Sequence, residues 1–420
     1  MSDAAPPLPP LDVVDGATIV KRIAITGMGS ITALGAGVDA FAAGLRAGRC
    51  GIGELSLFST GGFRSSVAAE VKELPIPHQI APIAWRRASR TSRFAFVAAA
   101  EAWAMAKASN IGNVGVVLGT TTAGMAGGEE NFRRLVTHSP LPRRLSVWFE
   151  TPASTPADAL AHAFGCGGPR LTVSTACSSG ANALGIAADW IRSGRVDAVL
   201  CGGAESLCRM TYSGFNALQA LDREPCRPFD RARAGLTLGE GAALFIFEAW
   251  ETAHRRGAHV LGEFVSYGIS ADAHHLTHPR PDGIGAALAI RRALDEGGVA
   301  VGDIDYVNAH GTATPLNDVA ETRAIRAVLR EHAEHTPVSS TKSMIGHCLG
   351  AAGAIEALAS VLAMRERFIP PTINLNAPDP ECDLDYVPNR SRPAAPRTVL
   401  SNSYGFGGNN TSLILRAYDD

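Results

Sequence analysis

Residues 171–185 read LTVSTACSSGANALG. The opening LTV is apolar and β-branched, as in a buried strand, and the closing SGANALG is made of small and apolar residues that continue into a helix-like run. A strand therefore meets a helix at Cys177. That position lies near the positive end of the helix macrodipole, which predicts a lowered thiol pKa. Its Gly, Ser and Ala neighbours let a substrate come close. Cysteine is also a common small core residue, and that plain reading suits the other seven: Cys50, Cys166, Cys201, Cys208, Cys226, Cys348 and Cys382. None of the eight forms a C-x-x-C pair, so neither a zinc site nor a disulfide framework is indicated. Reduced thiols in a cytoplasm fit best.

The helix that Cys177 opens, SSGANALGIAADWI (178–191), carries small or apolar residues on nearly every face. So does GAAGAIEALASVLAM (350–364). Helices of this kind are buried on all sides. Each follows a strand-like segment and a short polar turn, about 170 residues apart on the scale of one domain. The spacing points to a duplication with two central helices packed together.

Apolar, β-branched runs at 22–26, 114–118, 171–174, 198–201, 243–247, 305–308 and 398–401 read as buried strands. Helical stretches at 92–108, 178–193, 284–296, 317–329 and 350–367 fall between many of them, which predicts an α/β architecture. The proline-rich 365–396 reads as an extended surface connection, and GMGSITALG (27–35) as a tight strand-to-loop turn whose spacing misses a nucleotide-binding loop.

With 420 residues, 46% of them apolar, the chain can bury a large core. Its 38 basic and 40 acidic residues leave a formal net charge of -2, which argues against nucleic acid or an anionic membrane as the main partner. The proline-rich, acidic start, residues 1–20, lacks the pattern of a signal peptide and reads as an extension. No window reaches the ~18 apolar residues of a membrane helix, so no membrane insertion is expected.

Two histidines stand at comparable turns. His310 follows a strand in VNAHGTATPLND, and His347 precedes the second buried helix in SSTKSMIGHCLGAAG, with Lys342 just before it. A lone histidine is more often structural. A cysteine, two histidines and a lysine, each at a turn beside a buried element, suit chemistry on a thioester: the thiolate takes an acyl group and two Nε2–H donors hold an enolate oxygen. No metal is required. His274 and His278 in AHHLTHP have metal-like spacing, but the proline and turn residues around them argue against the helix that would align them. Arg86, Arg87, Arg90 and Arg93 offer a positive patch for an acidic carrier protein, or simply a solvated helix face.

VSTACSSGA, NAHGTATPLND, KSMIGHCLGAAGA and NSYGFGGNN, with ITGMGSITALG near the start, closely resemble the β-ketoacyl-acyl carrier protein synthase family over residues 21–420. The resemblance implies a duplicated thiolase-like αβαβα five-layer sandwich, with one half over 21–262 carrying the cysteine and the other over 263–420 carrying the histidines. It implies an acyltransferase that performs a decarboxylative Claisen condensation of a malonyl unit with an acyl chain on Cys177, in fatty acid or polyene and polyketide-like synthesis. The partner is an acyl carrier protein that brings its own phosphopantetheine, so no other cofactor is expected. A homodimer, or a heterodimer with a related subunit, is the expected assembly.

Carried over by residue, the resemblance pairs the N–H of Phe406 with that of Cys177 as an oxyanion hole, with Gly405 and Gly407 letting the loop move. It assigns Lys342 an ion pair with Glu321, with Asp318 in the same motif. Thr312 and Thr314 become phosphopantetheine ligands, although spacing alone allows plain turn residues equally well. Asn308, Glu356, Ser401 and Asn402 match positions around a structural monovalent cation in some relatives. Thr122 falls where relatives place a residue that limits the acyl pocket, and suits a polar or unsaturated chain. Tyr404 and Asn409 depart from the commoner phenylalanine and threonine near the acyl gate. Two rivals share the fold: a chain-length-factor subunit, which would lack the nucleophile, and a thiolase, which uses a second cysteine where this chain has His347.

Overall fold

The computed structural model describes residues 21–141 and 146–418, so the extension at 1–20 lies outside the described residues. The main path of its sheet runs through ten strands: β1 (Ile23–Thr32), β2 (Val114–Gly119), β3 (Arg170–Val173), β4 (Ala198–Glu205), β5 (Gly241–Ala249), β6 (Gly262–Ala271), β7 (Tyr306–Asn308), β8 (Val338–Ser339), β9 (Thr398–Gly405) and β10 (Asn409–Arg416). Their spatial order is β8-β7-β9-β10-β6-β1-β5-β4-β2-β3. Read outward from the centre, β1-β5-β4-β2-β3 and β6-β10-β9-β7-β8 have the same order and the same sequence of antiparallel and parallel pairings. This is a topological repeat. The halves meet where β1 pairs antiparallel with β6, Ile23 opposite Phe264.

Helices α1 (Arg90–Ala106) and α2 (Thr155–Phe164) cover the outside of the first half, and α4 (Ile284–Gly297) and α5 (Asn317–Leu329) that of the second. Between them lie α3 (Ser179–Arg192) and α6 (Ala352–Glu366), packed on each other and on strands of both halves. The result is the five-layer thiolase-like α/β arrangement. The small residues of the central helices have a steric cause. A Cβ on Gly180 would lie 2.9 Å from the Gly350 oxygen and 3.0 Å from the Ala354 nitrogen, and one on Gly353 would lie 2.9 Å from the Ala181 nitrogen. Gly353→Val is therefore expected to cost about 3 kcal/mol or more in urea unfolding, because backbone cannot give way to overpacking. Gly214→Ala, on an exposed helix with nothing within 4 Å, is the control and should stabilise by roughly 0.5–1 kcal/mol.

Several segments differ from the sequence reading. GMGSIT is strand, not turn: Gly27 and Gly29 sit inside β1 because a Cβ on either would lie 2.1 Å from a carbonyl oxygen of α1. The 365–396 segment is no surface connection, since Ile369, Ile373, Leu375, Tyr386 and Val387 are buried. Strands β6 and β10 carry no continuous apolar run, because serine, threonine, glycine and tyrosine interrupt them. Among the described residues, no helix is long and apolar enough to cross a membrane.

Candidate active site

Cys177 owes its position to a sharp turn. β3 ends at Val173, Ala176 takes a left-handed φ of 52°, and α3 begins two residues past the cysteine. The Ser179 hydroxyl accepts from the Thr175 N–H at 2.9 Å and donates to the Ala176 carbonyl, which locks the turn. The thiol is buried, and the Phe406 N–H is directed at it. The lowered pKa expected at this helix start is not what the surroundings of the thiol give. Burial pushes the thiol up to about 12, against the opposing pull of Lys342 and the Phe406 N–H.

His310 sits two residues past β7. Its backbone N–H and that of Gly311 each donate to the Glu321 carboxylate of α5 at 2.8 Å. Its Nδ1 is 3.2 Å from Lys342 Nζ. An ammonium only donates, so Nδ1 accepts and the proton of a neutral His310 sits on Nε2. Lys342 thus sets the tautomer of His310. His347 follows the short helix Lys342–Ile345 and is pinned through its backbone, donating to the Thr237 carbonyl at 2.7 Å and accepting from Gly239 N–H at 3.0 Å. Its Nδ1 is buried without a hydrogen-bond partner among the described residues. The two rings stand 5.3 Å apart and nearly perpendicular. Burial, then the Lys342 charge, holds both imidazoles well below the ordinary 6.5, so both are neutral at pH 7.

The ion pair of Lys342 is corrected by the structure: its partner is Glu356 of α6, not Glu321. Both groups are buried. Glu321 instead serves the two N–H groups after β7 and accepts from Asn402 Nδ2 at 3.3 Å. Burial raises Glu321 and Glu356 to about 7. Asp318 holds the Phe229 and Ala313 N–H groups at 2.8 and 3.2 Å, facing Arg233.

One cleft of about 510 Å³, including its open mouth, joins Cys177, His310, His347, Phe406, Tyr404, Thr312 and Thr314. The Thr312 and Thr314 hydroxyls are 2.9 Å apart, and the Phe406 ring stacks on Phe215 at 5.4 Å. Tyr404 stands 5.6 Å from the His310 ring, its buried hydroxyl without a hydrogen-bond partner among the described residues. Phe215, Asp272 and Asn317 also line the cleft and were not singled out from sequence. Phe215 lies on a mostly exposed helix, where nothing marks an aromatic residue as facing inward.

Other expected residues are not brought together. Thr122 is absent from the lining of this cleft, and its hydroxyl donates to Glu205. The four arginines form no single free patch. Arg90 is spent on the buried Glu240, with Nε 2.9 Å from its carboxylate, and Arg93 on the Trp85 carbonyl at 3.1 Å, while Arg86 and Arg87 are exposed. Of the four cation positions, Glu356 is committed to Lys342, and Asn402 to Glu321 and Ser412. Asn308 Oδ1 and Ser401 Oγ, on paired residues of β7 and β9, are buried without a partner among the described residues. Among these residues no three His, Cys, Asp or Glu side chains group to hold a metal. His275 and His278 lie in a loop with rings stacked at 4.3 Å and form no metal site, but His278 does line the cleft.

Comparison with known proteins bears on this arrangement. Residues 20–253 match the model of the beta-ketoacyl synthase N-terminal domain, and residues 261–376 that of the C-terminal domain. The chain is 41% identical to 3-oxoacyl-[acyl-carrier-protein] synthase 2 of Synechocystis sp. over 412 residues, 95% of this chain and 98% of that one. It is 38% identical to the protein of the same name from Coxiella burnetii over 413 residues, 95% and 99% of the two chains. Among solved structures it is similar to the ishigamide ketosynthase/chain length factor, with a TM-score of 0.89 and 38% identity over 95% of this chain and 100% of that one. It is also similar to a chain of the AntDE:AntF complex, a type II PKS acyl-carrier protein with its ketosynthase bound to the hexaketide, at a TM-score of 0.87 and 32% identity over 95% and 100%.

Proposed function

The chain belongs to the β-ketoacyl synthase family and is a condensing acyltransferase of that family; from this premise we propose that Cys177 carries the acyl chain while His310 and His347 activate a malonyl unit. The observation that supports this most is the meeting, in one cleft, of a buried thiol under the Phe406 N–H with two neutral imidazoles 5.3 Å apart.

The thiol sulfur attacks the thioester carbonyl of the incoming acyl group, and the N–H groups of Cys177 and Phe406 hold the oxyanion. The acyl–sulfur bond to the carrier breaks, and the proton lost by Cys177 ends on the departing thiol. A malonyl thioester then binds with its carbonyl oxygen facing the two Nε2–H groups. Its bond to the carboxylate breaks, carbon dioxide leaves, and the electron pair enters an enolate held by two hydrogen bonds. The enolate carbon attacks the acyl carbonyl, and Cys177 leaves as thiolate. Lys342 fixes the His310 tautomer and keeps the local field positive, with no proton of its own transferred.

The substrates arrive on an acyl carrier protein whose phosphopantetheine passes Thr312 and Thr314, and the chain needs no further cofactor. Asn308 Oδ1 and Ser401 Oγ, on paired strand residues and buried without partners among the described residues, suit a structural monovalent cation. The chain acts as a dimer with itself or with a related subunit, and the likeness to the AntDE:AntF complex, whose type II PKS ketosynthase is bound to a hexaketide, favours polyketide-like acyl chains. Intact Cys177, His310 and His347 argue against a chain-length-factor role, and His347 against a thiolase. The test is donor dependence. Purified protein with acyl and malonyl carrier proteins should release carbon dioxide in step with product, and an acetyl donor should give none; equal use of acetyl donor would favour the thiolase reading.

A further inference from the structure

The two N–H groups read above as an oxyanion hole come from opposite halves of the fold: Cys177 follows β3, and Phe406 forms the tip of the β9–β10 hairpin. Nothing in the chain's covalent path fixes their separation, so packing and hydrogen bonds must. Packing supplies one limit. A Cβ on Gly405 would lie 2.9 Å from the Thr175 oxygen and 3.1 Å from the Cys177 nitrogen. Backbone contact of this kind keeps the two pieces from closing further, but it does not keep them from drifting apart.

A hydrogen-bonded chain supplies the other limit. Thr411 of β10 stands opposite Ser403 and is fully buried. Its hydroxyl donates to Asn182 Oδ1 of α3 at 2.9 Å, and Asn182 Nδ2 donates in turn to Thr175 Oγ1 at 2.8 Å. Thr175 belongs to the nucleophile's own turn, where the Ser178 hydroxyl donates to the Thr175 carbonyl at 2.8 Å. Between Ser179 and Asp189 the helix is otherwise made of small and apolar residues, so Asn182 is its one polar side chain there. Leucine, of similar size, would pack as well. What the amide adds is an acceptor and donors on one planar group, which lets it bridge a hydroxyl that donates and a hydroxyl that accepts.

We propose that Asn182 is a positioning residue for acyl transfer: by bridging Thr411 to Thr175, it holds the Cys177 turn and the Phe406 hairpin at the separation where both N–H groups meet one oxyanion. Asn182 is absent from the lining of the cleft and acts only through those two backbone donors. The proposal rests on the reading of the Cys177 and Phe406 N–H groups as the oxyanion hole. A preorganised donor loses much of its effect when it is displaced from where the charge develops, so a bridge outside the cleft can still set the rate inside it.

The test follows two half-reactions separately: acyl loading of Cys177 from acyl carrier protein, by mass spectrometry, and carbon dioxide release from malonyl carrier protein. Only loading passes through an oxyanion between Cys177 and Phe406. Asn182→Leu and Thr411→Val are expected to slow the loading step about tenfold at unchanged KM, with carbon dioxide release within about twofold of wild type. Thr411→Ser keeps the hydroxyl and should restore loading to within about twofold of the wild-type rate. A merely structural role would lower both half-reactions alike, and that outcome, or normal loading in Thr411→Val, would overturn the proposal. Gly405→Ala crowds the Cys177 nitrogen directly and tests the reading underneath. Normal loading there as well would mean that the two N–H groups form no oxyanion hole, whereas slow loading in Gly405→Ala alone overturns only the role of Asn182. Should Asn182→Leu fail to fold, the valine and serine pair at Thr411 decides the matter.

Discussion

Cys177→Ala is expected to abolish condensation, lowering it by about 10⁴-fold or more, because the alanine side chain has no atom to form the acyl-enzyme. Folding should be little changed, since a small buried residue replaces another. The informative companion is Cys177→Gln. Its side-chain amide is shaped like an acylated cysteine, and its carbonyl oxygen can reach the N–H groups of residue 177 and Phe406. It cannot accept an acyl group. Carbon dioxide release from malonyl carrier protein should therefore persist in the glutamine enzyme, while acyl transfer, followed by mass spectrometry of the protein, is lost. Condensation by the alanine enzyme would sink the assignment of the nucleophile.

His347→Ala and His310→Ala are each expected to lower malonyl decarboxylation by about 10²–10³-fold, the usual effect of removing one preorganised donor to an oxyanion. Acyl loading of Cys177 should survive both, which separates loss of enolate stabilisation from loss of the nucleophile. Unimpaired decarboxylation in either variant would remove that histidine from the proposed pair. The pH dependence follows from burial. Both imidazoles are held well below 6.5, so both stay neutral, as the proposed Nε2–H donation requires, while pH falls from neutrality through 6.5. Decarboxylation should be flat across that range, and a half-loss at 6.5 would show ordinary, exposed histidines.

Stability has two opposing contributions in the same region. The unfolded histidines take up protons near 6.5 and the folded ones do not, so their contribution is lost as pH falls below 6.5. Glu321 acts in the other direction. Unfolded, it ionises near 4.5, while burial keeps it protonated up to about 7, so its contribution is lost as pH rises between those values.

Much of this protein is readable in the chain because its signals are local. A strand, a polar turn and a helix without a polar face leave their mark within fifteen residues, and they place Cys177 and the two central helices. The ordered motifs around His310, His347 and Phe406 are equally local, and the cleft unites all three with Cys177. What sequence could not rank were choices among partners distant in the chain. Lys342 has a buried glutamate on the helix before it and another on the helix after it, and only packing of α6 brings Glu356, rather than Glu321, to its ammonium. Four arginines close together look like one patch, until the fold turns Arg90 onto Glu240.

Sequence by itself pointed to an α/β duplication and, through the family its motifs resemble, to the kind of reaction and to Cys177 as the candidate nucleophile. Only the tertiary structure decided the electrostatics. Whether a buried thiol is lowered or raised depends on how far water is removed around it, and burial outweighs Lys342 and the Phe406 N–H at Cys177. Likewise, a threonine hydroxyl is free or engaged according to what stands opposite it, and across the turn from Thr122 stands the carboxylate of Glu205.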